Sequence, residues 1–375
     1  MTNINEYYPQ EVLHPGVTLN DKLDELGMTR KEFAIRTGKP EKTVIAVLKG
    51  ESSITPEMAV IFENVIKIPA HFWMNKQARY NEYKARINRN KVISDAEDWA
   101  RRFPYREMAG YGWVPNARNI REKTINLLDY FGISDDEAWK DLYINRKLKV
   151  AAYASLKHTQ EPYAISAWLR QGELQAESIE VGSYSEKGFK EALNSIRSLM
   201  VAQPANFFSE LQKICAEIGV KVFYTPKLPK VPISGSTRWI NDTPIIQLTA
   251  RYRQNDRFWF TFFHEAGHIL LHRKKYVSLE GIDFAESDKE KEEEAHRFAE
   301  NWTFSEDQEK EVIASLPLKE TDVISFAKKF NTHPAMIIGR LQHRGVIPYN
   351  AGRGFMLPID LSSQVEVGRK NWTSN

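Results

Sequence analysis

Cysteine is nearly absent: Cys215 is alone in 375 residues. A disulfide framework within the chain is therefore excluded, and a reducing compartment, the cytoplasm, is expected. No apolar run reaches the roughly 18 residues that span a bilayer, and the polar stretch Met1–Gln10 lacks the apolar centre of a secretory signal. A membrane is not expected among the partners. Charge of one sign is also lacking. A net charge of +3 gives no bulk electrostatic argument for nucleic acid. What is present is ordinary for a globular chain, 42% hydrophobic and 27% charged residues, and the length allows two or three domains.

Against that background one stretch stands out, Phe258–His272, which carries His264-Glu265-Ala266-Gly267-His268. On a helix, residues four apart sit roughly 5–6 Å from each other on one face, so His264 and His268 can reach a single metal ion. Glu265 lies beside them, where its carboxylate can take a proton from a water that the metal activates. Trp259, Phe263, Ala266, Ile269 and Leu270 surround this polar face and mark a core helix. A third ligand is needed. His272 lies about 12 Å from His264 along the axis, too far to share one ion, and reads as a supporting or structural histidine. The better source is the acidic run Glu290–Glu300, one helix downstream, whose Ala295, Phe298, Ala299 and Trp302 give it a packed face.

The His-Glu-Ala-Gly-His helix followed by Glu-Xaa-Xaa-Ala-His-Xaa-Phe-Ala resembles the ImmA/IrrE family of bacterial zinc metallopeptidases. That resemblance implies Zn2+ as cofactor, Glu265 as catalytic base, and Glu292, three residues before Ala295, as the third ligand, with Glu293 and Glu294 as fallbacks. It also puts His296 where a small polar residue supports a ligand histidine. Asn or Asp is more usual at that position. Cys215, at helical spacing with Phe208, Leu211 and Ile218, reads as a small core residue; its rarer alternative is a thiolate that caps the zinc.

Residues 1–90 read as a bundle of short helices. Leu19, Leu23 and Leu26 form one face that stops at Gly27, Thr29 and Glu32 form a capping box, and Gly38 and Gly50 close later helices. A fifth helix follows Pro69 through Tyr80, and Asn88–Lys91 reads as a polar joint. Ala34, Gly38 and Val44 have the spacing of a helix-turn-helix: a small residue at the crossing, a glycine in the turn, an apolar residue in the second helix. This stretch, with His14-Pro15-Gly16, Ile54-Thr55-Pro56 and Phe72-Trp73, resembles HigA-type antitoxin modules of the phage-repressor-like DNA-binding class. In such a module Lys42 and Thr43 would face base edges of double-stranded DNA and Glu41 could accept from cytosine. Lys39, Lys49 and Arg30 are better placed for phosphates.

Residues 91–200 carry no chemical motif. They read as a helical linker or dimer scaffold, with a Ser134/Glu137 capping box and with Trp99, Trp113, Trp139 and Trp168 as core. The run Ala167–Glu173 recurs in long proteins that combine the same two end modules, by that resemblance, without an assigned role. From 201 to 350 the pattern is helix, strand, a hairpin across Asn241-Asp242-Thr243, motif helix, ligand helix and a final helical pair; 351–375 reads as an irregular tail. The expected architecture is multidomain and mainly α, with a C-terminal α+β zincin-like domain holding a small sheet. The function implied is a DNA-binding regulator, expected as a homodimer, fused to a zinc endopeptidase that cleaves a specific repressor. The alternative is a non-proteolytic antitoxin or repressor, partnered by a toxin, whose zinc domain senses or binds.

Overall fold

The computed structural model describes residues 12–147, 161–272, 274, 278 and 286–361. The chain divides into two compact units, Met1–Asp95 and Ala96–Asn375. Within the first, α1 (Pro15–Glu25), α2 (Arg30–Thr37), α3 (Glu41–Leu48), α4 (Pro56–Ile66) and α5 (Ala70–Asp95) close around Leu19, Phe33, Val44, Phe62 and Trp73, all without exposed area. Burying each of these side chains contributes about 1.5–3 kcal/mol. Thr29 accepts from the Glu32 amide at 3.2 Å and Thr55 from the Met58 amide at 3.2 Å, and Gly38 ends α2 at φ 63°. The Glu32 carboxylate turns to Arg36 at 2.7 Å, so the Thr29 cap is one-sided. Helix α5 differs from expectation. It runs unbroken through Asn88–Lys91, because no glycine or proline interrupts Ala70–Asp95 and its Lys, Arg, Gln and Ala residues favour helix even when solvated.

The second unit begins with α6 (Glu97–Ala100), α7 (Tyr105–Gly110), α8 (Ile120–Phe131) and α9 (Asp136–Trp139), the last running into a π-helical segment, Lys140–Lys147. Trp99, Trp113, Trp139 and Trp168 are all buried, as their pattern predicted. The cap of α9 is Asp135 rather than Ser134: the Asp135 carboxylate accepts from the Ala138 amide at 2.8 Å while the Ser134 hydroxyl donates to that same carboxylate. An ionised acceptor makes the stronger hydrogen bond.

There follow α10 (Glu161–Glu177), α11 (Glu186–Ala202), α12 (Phe207–Glu217), β1 (Lys221–Tyr224), β2 (Gly235–Ile240), β3 (Thr243–Leu248), α13 (Asn255–Leu271), α14 (Glu286–Thr303), α15 (Glu306–Ile313), α16 (Glu320–Phe330) and α17 (Pro334–His343). The sheet order is β1–β3–β2, with β1 parallel and β2 antiparallel to the central β3. Ile240 pairs with Thr243, so the hairpin turns on Asn241 and Asp242, with Asn241 at φ 54°. The run Ala167–Glu173 lies on α10 and docks it on the sheet. The Trp168 indole donates to the Thr225 carbonyl at 3.3 Å, and Arg238 of β2 donates to the Leu169 carbonyl at 2.8 Å. A side chain at Gly172 would strike Gln247, the reason only glycine fits there. Tyr130 of α8 donates to the Ala167 carbonyl at 2.8 Å, which ties the middle helices into the same unit. Cys215 packs in the core with Phe208 and Leu211, and burial pushes its thiol well above the usual range. Among the described residues, the side chains that converge as possible metal ligands are His264, His268 and Glu292, and Cys215 is not one of them.

Candidate functional site

Helix α13 is buried along most of its length, including Trp259, Phe262, Phe263, His264, Glu265 and His268. Two glycines let its neighbours come close enough to form a site. A Cβ at Gly267 would sit 3.1 Å from the Phe298 ring of α14, so the missing side chain is what brings α14 onto α13. A Cβ at Gly235 would meet Glu265 Oε1 and Thr261 Cγ2 at 2.8 Å, so β2 crosses directly over the Glu265 side chain. The Thr237 hydroxyl of β2 donates to the Glu265 carbonyl at 3.0 Å and secures that crossing.

At the α13–α14 contact, His264, His268 and Glu292 each present a ligand atom, all within 4.8 Å of one another. The two Nε2 atoms are 3.0 Å apart; Glu292 Oε2 lies 3.1 Å from His264 Nε2, and Glu292 Oε1 lies 3.5 Å from His268 Nε2. Burial holds the His268 imidazole down at about 4, assisted by the neighbouring His264 and His272, so it is neutral and offers a lone pair near pH 7. Burial raises the Glu292 carboxyl, but hydrogen bonds from His264 and His268 outweigh it and hold the group well below the usual carboxylate range. Two imidazole nitrogens and an ionised carboxylate converging on one point suit a borderline divalent cation such as zinc.

The three consecutive glutamates separate by direction on the helix. Glu292 faces the imidazoles, Glu293 lines the adjoining cavity, and Glu294 Oε2 lies 3.0 Å from His272 Nε2. His272 Nδ1 in turn lies 2.9 Å from His268 Nδ1. The result is a chain, Glu294–His272–His268, that reaches the ring nitrogen of His268 facing away from the cluster. Sequence reasoning placed His272 near the site but missed Glu294 as its partner, since only the helix crossing pairs them. His296 lies with its ring 6.4 Å from that of His264 and its Nε2 3.2 Å from Glu300 Oε1. Ser234, Tyr252, Arg257, Phe260 and His343 help line a cavity of about 380 Å³ at the cluster.

In the first unit, Ala34 and Val44 are buried where α2 and α3 cross. Glu41, Lys42 and Lys49 are exposed and Thr43 is half-buried. Lys39 Nζ is engaged by Glu57 at 2.6 Å, and Arg30 donates weakly to Asn20 at 3.5 Å. No described helix is long and apolar enough to cross a membrane.

Comparison with known proteins finds relatives for both ends of the chain. Residues 215–342 match the peptidase M78 family model, the IrrE N-terminal-like domain. The uncharacterised HTH-type transcriptional regulator YddM of Escherichia coli K12 is 35% identical over 63 residues, 17% of this chain and 67% of YddM. An addiction module antidote protein of the HigA family from Coxiella burnetii is 29% identical in structural alignment, covering 23% of this chain and 95% of that one with a TM-score of 0.22.

Proposed function

From a chain that belongs to the HTH-type transcriptional regulators and carries an IrrE N-terminal-like peptidase domain, we propose a regulator that binds double-stranded DNA through α2 and α3 and hydrolyses a peptide bond at the α13–α14 cluster. The observation that carries this reading is the convergence of His264, His268 and Glu292 with Glu265 adjacent on the same buried helix. His264 Nε2, His268 Nε2 and Glu292 would hold zinc. Bound there, zinc supplies positive charge that polarises a carbonyl and acidifies water. Glu265 accepts the proton of the attacking water as its oxygen bonds to the peptide carbon, and passes that proton to the nitrogen as the C–N bond breaks. The substrate is a protein, a repressor of the genes that this regulator serves. On this reading the working molecule is a cytoplasmic homodimer, whose two helix-turn-helix units would meet half-sites about one DNA turn apart.

Glu265→Gln tests the reading. The amide keeps the shape of the side chain and leaves His264, His268 and Glu292 in place, so zinc content and DNA binding persist. Loss of the proton acceptor slows hydrolysis by roughly 10²–10⁴-fold. If Glu265→Gln and the parent leave every candidate repressor intact in cells and regulate equally, proteolysis is not the function. A DNA-binding antitoxin or repressor with a bound zinc then takes its place.

A further inference from the structure

Helix α5 carries a stripe that changes character part-way along. Trp73, Gln77, Tyr80, Lys84, Ile87 and Lys91 are spaced by four and three residues alternately, so they share one face. Its first half belongs to the core of the helix-turn-helix unit: Trp73 has no exposed area and Gln77 has 3%. The Gln77 side-chain oxygen accepts from the Ile54 amide at 2.9 Å, in the loop that follows α3. The Tyr80 ring meets the His14 ring edge-on at 4.7 Å, and His14 is the residue that Gly50, just past α3, packs against. The stripe therefore lies along the C-terminal end of α3 and the loop after it.

Beyond Tyr80 the same face leaves the core, and there it becomes cationic. Lys84 and Lys91 are exposed, and neither forms an ion pair among the described residues. Lys84 stays beside His14, whose imidazole is lowered first by burial and then by the Lys84 charge. From residue 76 to 91 the helix holds six Lys or Arg residues against one acid, Glu82. A face that begins against α3 and continues as positive charge past the edge of the bundle fits a polyanion lying along the same surface. We propose that Lys84 and Lys91 bind the phosphate backbone of double-stranded DNA, as a second contact beyond the helix-turn-helix. Their Cα atoms are about 10 Å apart along the helix, so they engage separate phosphates of the strand that leaves α3. The contact sets register and affinity and carries no base specificity.

This inference rests on the DNA-binding reading, and the test separates the two. The full-length protein is titrated with a short duplex of arbitrary sequence between about 0.05 and 0.2 M salt, as phosphate contacts are independent of sequence and strongly salt-dependent. Parent, Lys84→Gln/Lys91→Gln and Arg79→Gln are compared by fluorescence anisotropy, with circular dichroism to confirm folding. Arg79 lies on the opposite side of α5 and controls for the loss of bulk charge. The double variant is expected to lower the slope of log K against log salt by about 1.8, and to bind roughly tens of fold more weakly at about 0.1 M salt. Arg79→Gln keeps the parent slope. A parent-like slope in the double variant while Lys42→Ala weakens binding overturns the proposal and leaves the DNA-binding reading standing. A parent that binds no duplex at any salt overturns both. A parent-like slope with an altered sedimentation coefficient assigns the stripe, with Ile87, to a second copy of the chain and also overturns the proposal. Loss of binding to phosphatidylserine vesicles without a change in slope assigns it to a membrane surface, with the same consequence.

Discussion

Helix α13 and helix α3 both present polar side chains at short helical spacing, but those side chains meet different partners. His264, His268 and Glu265 are buried, and the protein itself determines what surrounds them: α14 supplies Glu292 and β2 crosses over Glu265. Glu41, Lys42 and Lys49 end in solvent, and nothing within the described residues orients them toward one ligand atom. A buried polar group without a partner is costly, so its surroundings are specified closely. An exposed lysine is satisfied by water, and its role depends on what arrives. The first site is thus defined by the fold, the second by its ligand.

That contrast predicts which substitutions act all-or-none and which act by degrees. The largest effect is expected at the cluster. Glu292→Ala removes the one carboxylate that meets both imidazoles, and elemental analysis should find that the purified protein no longer retains one zinc per chain. Full zinc in Glu292→Ala together with loss in Glu294→Ala would move the third ligand to Glu294. Next is Gly235→Ala. Its methyl would displace the Glu265 carboxylate while leaving the metal-facing atoms untouched, so hydrolysis should fall by up to about 100-fold with zinc content unchanged. Loss of zinc in that variant would mean that β2 supports the whole cluster and not the base alone.

A smaller effect is expected one bond further out. His272→Ala removes the partner of His268 Nδ1, and competition with a chelator should show zinc held about 10–100-fold more weakly. Unchanged affinity would leave the Glu294–His272 pair as packing only. At α3, Lys42→Ala should cost about 1–3 kcal/mol of DNA binding if the side chain reads a base edge, measured by footprinting across variant sequences. A uniform loss across all sequences would instead place Lys42 on a phosphate.

Much of the fold was legible because its signals are local. Glycine at the end of α2, threonine caps before α2 and α4, and the turn at Asn241-Asp242 each specify a backbone conformation within a few residues. Three local readings failed for a physical reason. Glu32 looked like the second half of a capping box, yet its carboxylate pairs with Arg36 one turn on. Asn88–Lys91 looked like a joint because it is polar, yet polarity does not break a helix that lacks glycine and proline. Ser134 looked like a cap, yet the adjacent Asp135 is the stronger acceptor.

From the amino-acid order alone followed the helical face shared by His264 and His268, the Glu265 carboxylate beside them, and the helix-turn-helix spacing of Ala34, Gly38 and Val44. All of these depend on distances along one or two turns of chain, which helix geometry sets in advance. Only the tertiary structure decided how the three glutamates of α14 divide among His264, Glu293's cavity and His272, why Gly172, Gly235 and Gly267 are glycines, and how the run Ala167–Glu173 docks on the sheet. Those outcomes depend on which surfaces meet after the chain has collapsed. Adjacent residues on one helix point about 100° apart, so a small rotation of α14 against α13 would bring a different carboxylate to the imidazoles, and no sequence interval records that rotation.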